Sequence, residues 1–290
     1  MRRALIWTAG VLAVLVLLAG ANTLRNRAGI AFESGTLQDR IARLAPAAHF
    51  MPDGQGAPHP VAILLSGCDG VHDNMYWWAE ELAGLGYAGL ILDSHGPRGL
   101  DKLESWRLVC AGQVLPGAER AGDLVAALEA VRADPALDGD NVLLFGASHG
   151  GWTAMEALAD LMAPALPAGI KAWETPPAEL LAGIRGAVLL YPYCGALNGS
   201  ARSPWDSAPP VLMILGGHDT IISTPACRKL AGSLAGQGAR ISVREFAEAD
   251  HGFDQREKSF LSSLVFDAGL RDRAREEVGA FLAGLPGRSR

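Results

Sequence analysis

The chain has 290 residues, 49% of them apolar and 19% charged, enough to bury a large core as one big α/β domain. Its net charge of −6 comes without a basic block, which argues against nucleic acid as a partner. The four cysteines, Cys68, Cys110, Cys194 and Cys227, form no C-x-x-C pair and no Cys/His cluster, so a zinc site is not expected, and the chemistry read below calls for no metal or organic cofactor.

Arg2 and Arg3 precede residues 4–20, which carry no charge, and Ala19-Gly20-Ala21 has the small-x-small pattern of a signal-peptidase site. Residues 1–21 are therefore read as a signal peptide or an N-terminal membrane anchor. Arg25 and Arg27 just beyond fit the anchor equally well. Either way the protein is expected outside the cytoplasm, touching a membrane only through this segment. Residues 22–47 read as a tether followed by an N-terminal strand over 36–44, and the domain proper as 48–290.

From there the pattern alternates. A short strand is expected at 48–51, then a turn-rich stretch, then a continuous apolar run at 61–65. Such a run suits a strand covered on both faces. Helical periodicity follows at 74–85, with Gly86 as its stop, and a second buried strand at 88–92. After an irregular stretch carrying Cys110 come a helix at 119–133, a strand at 141–145 and a helix at 152–162. Residues 163–185, which open with a proline- and alanine-rich run, are read as either a lid over the site or a surface insertion. Strands at 187–191, 211–215 and 241–246 and helices at 225–234 and 269–285 complete the chain. Short buried strands alternating with amphipathic helices call for a mostly parallel sheet with helices on both faces. On that fold, of the three pairings open to four cysteines, Cys68–Cys110 with Cys194–Cys227 is favoured, because each pair follows neighbouring strands.

The chemistry centres on Gly146-Ala147-Ser148-His149-Gly150, a G-x-S-x-G match between a strand and a helix. A serine on so sharp a turn needs glycine at both outer positions, where a Cβ would strike backbone. An alkanol becomes a nucleophile at neutral pH only when a neighbouring imidazole takes its proton. His251, in the loop between the last strand and last helix, is the candidate. Asp219, after strand 211–215, is the candidate carboxylate that holds the imidazole; its rival Asp250 should point away, because adjacent side chains in extended chain face opposite ways. The order Ser148, Asp219, His251 is that of α/β-hydrolases. The oxyanion is expected to be held by the backbone N–H groups of His149 and Cys68, the latter in the glycine-rich loop Ser66–Gly70. Lower expectations attach to His95 and His149 as proton carriers, to Arg98 as a carboxylate grip and to the tryptophans as substrate platforms.

Together, Ser66-Gly67-Cys68-Asp69-Gly70, Leu92-Asp93-Ser94-His95-Gly96-Pro97-Arg98-Gly99, residues 146–151, Tyr191-Pro192-Tyr193-Cys194 and His251-Gly252-Phe253-Asp254 resemble the dienelactone hydrolase family of the α/β-hydrolase fold. The resemblance spans roughly residues 48–285. It implies hydrolysis of a small-molecule ester or lactone through an acyl-enzyme. Two departures stand out: Ser148 occupies the place of the cysteine used by the founding members, and Ser66-Gly67 replaces a frequent His-Gly, so whatever that histidine bonds must be bonded otherwise. The competing readings are a non-catalytic anchored binding protein on the same fold, or a peptidase or acyltransferase.

Overall fold

The computed structural model describes residues 2–31, 34–44, 48–52, 56–258 and 262–286. The chain runs α1 (Arg2–Arg27), α2 (Leu37–Leu44), β1 (Ala48–Phe50), β2 (His59–Leu65), α3 (Asp73–Gly84) and β3 (Ala88–Leu92). It continues through α4 (Lys102–Glu104), α5 (Gly117–Ala133), β4 (Leu137–Ala147), α6 (His149–Met162), α7 (Pro177–Gly183) and β5 (Ile184–Leu190). Last come β6 (Val211–Gly216), α8 (Thr224–Gly236), β7 (Ile241–Phe246) and α9 (Ala268–Ala283). The strands form one sheet in the order β1-β3-β2-β4-β5-β6-β7. Only β1 runs antiparallel to its neighbour; every other pairing is parallel.

Strand alternation explains why the central runs are apolar throughout. Val61, Ile63 and Leu65 of β2 face one core, and Ala62 and Leu64 face the other. The first core is closed by α2, α5, α6 and α8, the second by α3 and α9. The α/β architecture expected from the alternation is the one found, and the parallel strands put their carboxyl ends along one edge, where Ser148, Asp219 and His251 all fall.

Two expectations need correction. Residues 36–44 are not a strand: α2 forms because Leu37, Ile41 and Leu44 recur at helical spacing and pack on the α5 side of the core. Its start is a reciprocal cap, with the Thr36 amide donating to Asp39 Oδ2 at 2.9 Å and the Asp39 amide to Thr36 Oγ1 at 3.1 Å. Arg40 then reaches Asp123 of α5 at 2.7 Å, so the folded unit begins before residue 48. Nor are residues 22–27 a detached tether. They continue α1, and Asn22 and Asn26 donate to the carbonyls of Gln113 and Gly112 at 2.6 and 2.7 Å. The segment 163–185, for which a lid and a surface insertion were both open, runs over the surface away from Ser148. It leaves the far end of α6, lies against α2 and α5 through the Gly35–Ile170 bridge and the Thr175 bonds to Glu129, and delivers the chain to the start of β5. That is the edge of the sheet opposite Ser148.

The apolar part of α1 stands away from this unit. Residues 6–21 are exposed, and the segment Ile6–Arg27, which contains an 18-residue window of mean hydropathy 1.8, is long and apolar enough to cross a membrane. Two disulfides, Cys68–Cys110 and Cys194–Cys227, staple the domain in the favoured pairing.

Candidate active site

Ser148 sits at the N-cap of α6 with φ 52° and ψ −113°, a backbone that a side chain rarely adopts. The turn is held on both sides, the Ser148 amide donating to Leu190 O at 2.8 Å and its carbonyl accepting from the Tyr193 amide at 3.1 Å. The glycines make the geometry feasible. A Cβ on Gly146 would stand 2.5 Å from the Gly150 carbonyl oxygen, and one on Gly150 only 2.1 Å from that of Leu65. Neither backbone atom can yield.

The three candidate side chains meet. His251 Nε2 lies 2.9 Å from Ser148 Oγ and His251 Nδ1 2.8 Å from Asp219 Oδ2. A carboxylate can only accept, so the imidazole carries its proton on Nδ1 and leaves Nε2 to receive the serine proton. Asp219 is itself fixed, since its Oδ1 accepts from the amides of Ile221 and Ile222 at 2.9 and 2.8 Å. Its side chain is fully buried and that of His251 nearly so. Asp250 does turn elsewhere: it accepts from the amides of Thr220 and His251 at 2.8 and 2.7 Å and takes no part in the imidazole's bonding.

The loop after β2 lies against the serine, an added Cβ on Gly67 standing 3.8 Å from Ser148 Cβ. Cys68 and His149 both line a cavity that opens on Ser148. His149 is the first residue of α6, where backbone N–H groups have no partner within the helix and the helix dipole favours negative charge.

Several residues escaped the sequence reading. Arg120 of α5 is fully buried beneath this loop. It donates to Ser66 O at 2.7 Å, Ser66 Oγ at 3.1 Å and Ser94 Oγ at 3.1 Å, and its Nη1 faces His149 Nδ1 at 3.3 Å. One guanidinium thus joins the loop of Cys68 to the residue after Ser148, and it supplies bonding at the place where Ser66-Gly67 departs from the family pattern. Burial lowers its pKa to about 10, still far above neutral. Burial, helped by the Arg120 charge, holds His149 well below the ordinary imidazole range and His95 down to about 3. Burial thus favours the neutral form of both rings. Arg98 is committed to Asp123, with both terminal nitrogens on its oxygens at 2.8 and 2.9 Å. Among the tryptophans, Trp78 and Trp205 are core, whereas Trp106 and Trp152 line cavities at Ser148.

Asp254 anchors the histidine loop. It is fully buried, accepts from Trp78 Nε1 at 2.7 Å and from the Tyr191 hydroxyl, and the Tyr191 ring stacks edge-on against His251 with centroids 4.7 Å apart. The block His251-Gly252-Phe253-Asp254 gave the signal, but not the partners.

A serine on a strand-to-helix elbow, an imidazole between it and a buried carboxylate, and all three at the carboxyl edge of a doubly covered parallel sheet define an α/β-hydrolase. The chain belongs to the dienelactone hydrolase family, whose model matches residues 45–283. Membership makes it a hydrolase of ester-type bonds. Its fold is similar to that of a dienelactone hydrolase-like promiscuous phosphotriesterase from metagenomic libraries, at 20% identity and TM-score 0.63, covering 83% of this chain and 92% of that one. It is also similar to propionate-bound esterase 2 of Thermogutta terrifontis, at 18% identity and TM-score 0.60 over 84% and 91% of the two chains. The same esterase phosphonylated by cyclosarin matches at 17% identity and TM-score 0.61 over 83% and 90%. No curated protein matches the chain by sequence.

Proposed function

We propose that the protein is a serine esterase working through an acyl-enzyme, with Ser148 as nucleophile, His251 as proton carrier and Asp219 as its orienting carboxylate. The observation that carries the reading is the unbroken path Ser148 Oγ, His251, Asp219 at 2.9 and 2.8 Å. As Oγ bonds to the carbonyl carbon, its proton passes to His251 Nε2 and the imidazolium is stabilised by Asp219. The carbonyl oxygen becomes an oxyanion held by the N–H groups of Cys68 and His149; one such donor is typically worth about 3–4 kcal/mol. Collapse breaks the bond to the alcohol oxygen, which leaves with the Nε2 proton. Water then repeats the sequence on the acyl-enzyme, giving up a proton to His251 and releasing the acid and Ser148.

Membrane attachment outside the cytoplasm completes the proposal. The two disulfides favour an oxidising compartment, and the exposed apolar α1 suits an export signal or anchor. Asn22 and Asn26, immediately beyond the signal-peptidase-like triplet, bond to the loop at 112–113 and would do so with the apolar part of the helix retained or removed.

The test is turnover of simple carboxylic esters by the purified chain and by Ser148→Ala. The variant is expected to lose more than about 10⁴-fold in kcat with its melting temperature nearly unchanged. Full activity in the variant would end the proposal. A binding protein on this fold would show no turnover in either, and an acyltransferase would show transfer exceeding hydrolysis when an alcohol acceptor is supplied.

A further inference from the structure

Two cavities open on Ser148, and the Cys68–Cys110 disulfide borders both. One, of about 190 Å³, is walled by Val109, Trp152, Tyr193, Leu197 and Ile222. The other, of about 110 Å³, reaches His251, Asp69, Gln255 and Trp106. Proton transfer tells their roles apart. The departing alkoxide must take the proton from His251 Nε2, so the leaving group belongs on the side that contains His251. The acyl carbon stays on Ser148, and its chain must run the other way, into the larger apolar cavity.

We infer, resting on the esterase reading above, that the preferred substrates are esters of uncharged acids with an acyl group of moderate size, and that acyl groups ending in a carboxylate are rejected. The size follows from the volume. A dry apolar cavity of about 150 Å³ holds a benzene molecule, so 190 Å³ accommodates one aromatic ring or a chain of about six carbons. A long fatty chain would have to leave the cavity for solvent.

The charge selectivity follows from which cations are absent and where the others are held. Among the described residues, no Lys or Arg lines either cavity. Arg120, beneath the loop of Cys68, has each of its three nitrogens engaged by Ser66, Ser94 or His149 and is sealed from the cavities. Arg98 is held by Asp123. Elsewhere, Lys102 lies 3.4 Å from Glu257, and Lys258 donates to the carbonyl of Leu264, a lining residue of the smaller cavity, at 2.7 Å. The charged group that does face the leaving-group side is Asp69. Burial alone would raise its pKa, but the hydrogen bond and charge of His72, 3.0 Å away, hold it below the usual carboxylate range. A carboxylate in the acyl cavity would lose its hydration and gain no counter-ion, a costly exchange.

The experiment compares, on the full chain in detergent, ethyl esters of straight-chain acids from acetate to dodecanoate, ethyl benzoate, and monoethyl adipate, which places a carboxylate where ethyl hexanoate has a methyl. Ser148 labelling by a fluorophosphonate is followed in parallel. The inference expects kcat/KM to peak near hexanoate and benzoate and to fall at least tenfold by dodecanoate. It expects monoethyl adipate to be slower than ethyl hexanoate by at least a hundredfold. Ile222→Ala should move the peak toward longer chains. Equal rates for hexanoate and adipate esters, or a profile that rises through dodecanoate, would overturn the substrate class while leaving the esterase intact. Labelling of Ser148 without turnover of any ester would also overturn it, whereas neither labelling nor turnover would bring down the esterase reading itself.

Discussion

Arg120 is the residue whose placement asks most of a physical account. A fully buried guanidinium without a carboxylate in direct contact is expensive, and here the compensation comes from Ser66, Ser94 and the ring of His149. These partners belong to the loops after β2 and β3 and to the start of α6, so removing the side chain should loosen the alignment of the two amides proposed to hold the oxyanion without touching substrate. Arg120→Gln is expected to lower kcat by about 10–100-fold with KM changed by less than about threefold, a fraction of what losing a donor outright would cost. Arg120→Lys, which keeps the charge, should recover part of the loss. A folded Arg120→Gln enzyme with full kcat would refute the positioning role. The sequence could not display this residue's importance, because its partners are 26, 29 and 54 positions away and it sits on the buried side of a helix whose neighbours Leu124 and Leu128 read as ordinary core. Ser148, Asp219 and His251 were legible for the opposite reason: each ends a strand or follows one closely, and strand ends gather on one edge of a parallel sheet.

Element by element, what could be read from the chain was what burial forces. The runs at 61–65, 88–92 and 211–215 have both faces covered, so their apolar character is continuous and their bounds are sharp. The misreading of 36–44 came from a short amphipathic helix whose cap, Thr36 with Asp39, was the better signal. Residues 163–185 were ambiguous because composition does not tell which edge of the sheet a connection crosses. Helix α6 also carries a stability consequence on its outer side. Glu156, bonded to Trp152 Nε1 at 2.7 Å and to the Gly199 amide, lies one turn before Asp160. Burial, with the Glu156 charge behind it, pushes Asp160 up to about 8. The unfolded chain releases that proton near pH 3.9, so the native state binds more protons between those values and stability falls as pH rises through them. Asp160→Asn removes the titration. Its melting temperature should match the wild type near pH 4 and exceed it by about 3 °C or more at pH 8. Curves that stay parallel over that range, measured by calorimetry, would contradict the assignment.

At the scale of the whole molecule, the catalytic edge, the segment at 101–115 that covers it and the apolar helix form one connected arrangement. Cys110 ties the covering segment to the loop of Cys68, and Gly112 and Gln113 of the same segment receive Asn26 and Asn22 of α1. A chain cut after Ala21 would keep those asparagines but lose the apolar part of the helix. The retained-anchor reading predicts that the protein isolated from membranes of a producing cell has the intact mass of an N-terminus before residue 21 and resists carbonate extraction. A soluble form beginning at Asn22 would instead establish export by a cleaved signal.

The account stands on an activated serine, and the most direct measurement is reaction of the purified chain with a fluorophosphonate, followed by intact mass and peptide mapping. A single adduct on Ser148, absent in His251→Ala although that variant remains folded, is the predicted result. A folded wild-type protein that takes no adduct, or takes one at another serine, would contradict the account.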